Sequence, residues 1–116
     1  MGKASRDKGK RGEREWAAFL RNTGGFDSAR RGVQYSGGGN ADGISPDIHC
    51  EELSAFHCEC KRVEKLNIYD AIDQATRDAS CKQIAYVAHR KNNCRWLCTV
   101  DGEDFMRLVR AYIEDV

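Results

Sequence analysis

A chain of 116 residues has room for one domain with a single core built from a sheet and a few helices. Its formal net charge of +1 averages a first thirty-one residues rich in Lys and Arg against an acidic end carrying Asp101, Glu103, Asp104, Glu114 and Asp115. No apolar run is long enough for a signal peptide or a membrane span, which predicts an intracellular protein without membrane contact and makes free thiols the default for the six cysteines.

In chain order, residues 1–9 are expected to form a basic, disordered tail and residues 10–116 a single domain. From Arg11 the pattern turns helical, with Trp16, Ala17 and Leu20 on one stripe, Phe19 widening it, and Asn22 to Gly25 ending it. Glu13 lies three residues before Trp16 and seven before Leu20, so its carboxylate is expected on the buried face, where it needs a partner or a metal. Lys10, Arg11 and Arg14 open this helix, and Arg30 and Arg31 follow it in a strand expected over Phe26 to Gln34. Such a clustering of cations fits contact with a phosphate backbone. The stretch from Tyr35 to Ser45 is rich in glycine. It lacks the Gly-Lys-Ser/Thr ending of a phosphate-binding P-loop and has no helix after it, so it is expected as a loop beside the acidic residues that follow.

Those residues are the most informative in the chain. Asp47 follows Pro46, and Glu59-Cys60-Lys61 comes after eleven intervening residues. Asp47 to Glu51 and Phe56 to Lys61 alternate in polarity and read as a hairpin turning over Glu51 to Ala55, with Glu59 and Lys61 on one face and Asp47 near the end where Glu59 emerges. Two carboxylates with an adjacent ammonium make a hard-cation site. Mg²⁺ takes one or two carboxylates, keeps several waters and draws further ligands from phosphate, so the constellation points to metal-assisted phosphodiester hydrolysis. His49 and His57 are expected on the same side. Cys58 and Cys60 fall on the opposite, apolar face.

Asn67 is a plausible cap for a helix with Ile68, Ile72, Ala75 and Ala79 on its stripe, and Gln74 sits beside that stripe, where spacing alone favours surface solvation and the alternative is contact with a phosphate or with water on a metal. Gln83 to Arg90 and Cys94 to Val100 read as buried strands. A last helix from Phe105 to Ile113 carries Phe105, Leu108, Val109 and Tyr112 on one face, with Met106 and Ile113 beyond it, a surplus apolar surface that is either well-packed core or a dimer interface. The predicted class is α/β, in the order αβββαββα.

This order, with an inward Glu on the first helix, Pro46-Asp47 and Glu59-Cys60-Lys61, resembles the PD-(D/E)xK nuclease superfamily. Gly12-Glu13-Arg14-Glu15, the Arg30-Arg31 pair and Gly37-Gly38-Gly39 before Pro46 resemble the archaeal and phage type of Holliday junction resolvase, over about Lys8 to Ala79. The resemblance implies a restriction-endonuclease-like core, a central mixed sheet flanked by helices. It also implies Mg²⁺, replaceable by Mn²⁺, on Glu13, Asp47 and Glu59, with Lys61 as the fourth catalytic residue. Lys10, Arg11, Arg14, Arg30, Arg31, Ser36 and Gln74 are the expected DNA contacts, and the expected partners are four-way DNA junctions and a second copy of the chain. Cutting of flaps, nicks or duplex by the same chemistry, a non-catalytic DNA-binding module, and a zinc adaptor built on the cysteines are the alternatives.

Overall fold

A computed structural model describes residues 3–32 and 47–115, with side chains from Lys8 onward. The expected glycine-rich loop, Ser36 and Pro46 lie outside the described residues. The elements are helix α1 (Lys3–Asn22), strands β1 (Arg30–Arg31) and β2 (Ile48–His49), a 3₁₀ turn over Glu51–Leu53, strand β3 (Phe56–Arg62), helix α2 (Ile68–Asp78), strands β4 (Ile84–Arg90) and β5 (Leu97–Thr99), and helix α3 (Gly102–Asp115). They follow the predicted order and form an α/β fold. Residues 3–9, expected as a disordered tail, continue α1 toward the N-terminus.

β3 pairs in parallel with β4, with Glu59 opposite Val87 and Lys61 opposite His89, and β4 pairs antiparallel with β5. A parallel pair requires a crossover, which α2 supplies. Strand alternation gives the sheet two different faces. On one, Cys58, Tyr86 and Ala88 meet Trp16, Ala17 and Leu20 of α1. Trp16 donates from Nε1 to the Tyr86 hydroxyl at 3.3 Å, which satisfies the indole N–H inside the core. On the other face, Ala85 and Val87 meet Ala71 and Ala75 of α2. The alanines let that helix sit low on the sheet, and the Asn67 side chain caps it by accepting from the Asp70 N–H at 3.2 Å.

Three expectations change. The strand expected over Phe26 to Gln34 narrows, within the described residues, to Arg30–Arg31. Gly25 leaves α1 at φ +76°, and Ala29 N–H bonds back to Phe26 carbonyl, so residues 26–29 form a turn. The expected hairpin is not a ladder. β2 pairs antiparallel with β1, Arg30 opposite His49, in a sheet separate from that of β3. The 3₁₀ turn between them is fixed by Ser28, whose hydroxyl accepts from Glu51 N–H at 3.0 Å and donates to the Glu52 carboxylate. Cys94 to Val100 contributes only the short edge strand β5, because the Lys91 turn and Asn93 at φ 61° take up its start. Leu97 and Cys98 are exposed on it.

Helix α3 is capped by Asp101, whose carboxylate accepts from Asp104 N–H at 2.7 Å. None of its residues is fully buried. Among the described residues no helix is long and apolar enough to cross a membrane.

Candidate functional site

Acidic side chains gather where β2, β3 and the end of α2 meet. Asp47, just ahead of β2, accepts a hydrogen bond on Oδ2 from the Cys60 N–H at 2.9 Å. This bond replaces the missing β2–β3 ladder. It holds the Asp47 carboxylate against the strand that carries Glu59, as the sequence places it, although by a side chain rather than a hairpin. Glu59 is 6% exposed, and its Oε1 lies 3.4 Å from the Lys61 Nζ on the same face of β3.

The electrostatics of the group are strained. Burial, and then the neighbouring Asp47 charge, push the Glu59 carboxyl up to about 7 despite the opposing pull of Lys61. Burial also raises Asp47 against the pull of the Cys60 N–H and Lys61. Burial and the charge of Asp47 raise Glu13 as well. Asp47 thus bears on two other acids, one on α1 and one on β3.

Glu13 is half-buried as its helical position predicts, and it has found a protein partner. Its Oε1 accepts from Arg31 Nε at 2.8 Å. Glu13, Asp47 and Glu59 do not converge as three ligands on one point. Among the described residues, the one such group is His57, Glu59 and Asp78, whose ligand atoms all lie within 4.8 Å of one another. His57 is 2% exposed, and burial holds its imidazole below the usual range, toward the neutral form. It therefore joins the acids, as its strand parity predicts. His49 does not; it is exposed on β2 opposite Arg30.

Asp78 was not anticipated from the sequence. The signal was present as Ala71, Ala75 and Asp78, an i, i+4, i+7 series whose first two members are small enough to bring the helix onto the sheet. The stripe read from Ile68, Ile72, Ala75 and Ala79 lies to one side of it.

The expected phosphate contacts divide. Lys10, Arg11 and Arg14 are exposed on α1 and Arg30 is exposed on β1, whereas Arg31 is committed to Glu13. Gln74 is half-buried on α2, one turn before Asp78. A further cation, Arg62, went unnoticed in the sequence. It donates from Nε to Glu15 at 3.0 Å and from Nη1 to Asn92 at 2.7 Å, which ties α1 to the end of β3 and to the turn after β4. All six cysteines are free thiols, and Cys58 and Cys60 are pushed further toward the neutral form by burial. No family model, curated protein or solved structure matches this chain.

Proposed function

We propose that this chain is a divalent-metal-dependent DNA endonuclease with a restriction-endonuclease-like core, selective for four-way junctions and acting as a homodimer. The observation that carries this proposal is the meeting of Asp47, Glu59 and Lys61 at β3, a half-buried and a buried carboxylate beside an ammonium. The donor set suits Mg²⁺ or Mn²⁺: it is made of carboxylate oxygens, and the Asp47 charge raises the proton affinity of Glu59, a repulsion that a cation would relieve. A bound dication supplies charge compensation for a phosphate undergoing hydrolysis.

The chain's own groups do the rest. The Cys60 N–H fixes Asp47, and the Glu59–Lys61 pair sets the ammonium where it can orient water and offset charge developing on a phosphate oxygen. Arg31 holds Glu13 in the free protein. An arriving phosphate competes for that guanidinium, which would release Glu13 toward Asp47 as the DNA engages. Exposed Lys10, Arg11, Arg14 and Arg30 contact the backbone without reading bases, which fits selection by DNA shape.

The test is incubation with Mg²⁺ and, in parallel, a mobile junction, a flap and a linear duplex. Paired symmetric cuts confined to the junction are expected. Equal cutting of duplex would refute junction selectivity, and binding without cutting under Mg²⁺ or Mn²⁺ would refute the enzyme.

A further inference from the structure

We propose that His57, Glu59 and Asp78 form a binding site for a first-row transition-metal dication of the Zn²⁺ class, sharing Glu59 with the Asp47–Lys61 cluster. The site is built by two elements. His57 and Glu59 stand two residues apart on β3 and so project from the same face, the one that α2 covers. Asp78 ends α2, one turn beyond Ala75, which is wholly buried against that face.

Distance and burial distinguish the three from a chance grouping of surface charge. Their ligand atoms lie within 4.8 Å of one another. Bonds of about 2.0–2.2 Å to nitrogen and oxygen place two ligands of one ion at most about 4.4 Å apart, so small side-chain adjustments close the site. His57 and Glu59 are buried to 2% and 6% exposure. A buried imidazole grouped with two carboxylates offers one nitrogen and two oxygen ligands to a single ion. Half-buried Asp78 leaves a way in from solvent.

The donor set also selects the ion. Mg²⁺ takes oxygen ligands and keeps its waters, whereas imidazole suits Zn²⁺ and its neighbours. Three protein ligands leave coordination positions open. The site does not depend on nuclease activity, and its test reads none.

The full chain, stripped with chelator, is titrated with Co²⁺ while visible d–d absorption is followed, and Zn²⁺ is then added in competition. One Co²⁺ per chain is expected, displaced by Zn²⁺ and not by excess Mg²⁺. His57→Asn and Asp78→Asn should each weaken binding about tenfold or more. Circular dichroism verifies folding. Asp78→Asn, at a half-buried helix end, serves if the His57 variant does not fold. Unaltered binding in the folded Asp78 variant, displacement by Mg²⁺, or a near-ultraviolet thiolate-to-cobalt band showing that the cysteines hold the metal would each overturn the proposal.

Discussion

Glu59 is where burial and charge conflict most. Its carboxyl has an ordinary value of 4.5 and is pushed to about 7, so between those values the folded, metal-free protein binds more protons than the unfolded chain. Stability contributed by this group is full below about pH 4.5 and is lost as pH rises through about 7. His57, held low, works in the opposite direction, but it is common to both proteins when wild type is compared with Glu59→Gln. In chelator, the stability difference between the two should move in favour of the Gln variant by on the order of 2 kcal/mol from about pH 5 to pH 8. Denaturant titrations across that range measure it, and a pH-independent difference would contradict the strain. At this scale much of the site was legible. Strand parity put His57, Glu59 and Lys61 on one face, and helical spacing turned Glu13 inward. The Arg31 partner of Glu13 and the carboxylate of Asp78 were not, because each depends on how separate elements pack and no local pattern records that.

Helix α1 reaches the sheet through a glycine. A Cβ on Gly12 would overlap the Cβ of Arg62, an atom fixed to the β3 backbone, whereas a Cβ on Gly9 of the same helix meets nothing within 4 Å. The two positions should therefore respond with opposite sign. Gly9→Ala gains helix propensity and should stabilise by up to about 1 kcal/mol. Gly12→Ala should destabilise by about 1–3 kcal/mol through overpacking. Thermal unfolding of the pair decides it, and stabilisation at Gly12 would mean that α1 does not approach β3 so closely. The long helices and the continuous apolar strand β4 were readable from period and caps. The short β1 and β2 were not: Gly25 and the Ser28 bonds divert their flanks into turns, and a two-residue strand shows no period of its own. The Asp47 anchor on Cys60 likewise stands where a hairpin ladder was the simpler expectation, because that ladder's hydrogen bonds go elsewhere.

Across the whole molecule, the core is a three-stranded sheet between α1 and α2, and α3 is left with much of its apolar surface uncovered. Tyr112 is 75% exposed and Ile113 64%, with Phe105 and Met106 each more than half exposed. The homodimer proposed above would use this surface. Sedimentation should then show a dimer that Tyr112→Asp with Ile113→Asp converts to monomer; a wild-type monomer at micromolar concentration would remove α3 from that role. The most direct measurement of the proposed chemistry compares wild type and Asp47→Asn on one mobile four-way junction, with cleavage under Mg²⁺ and binding in chelator read in parallel. Removing a carboxylate cannot weaken attraction to phosphate, so the variant should bind at least as tightly and cut at no detectable rate. Cleavage by Asp47→Asn at the wild-type rate would contradict a metal-dependent nuclease centred on Asp47 and Glu59.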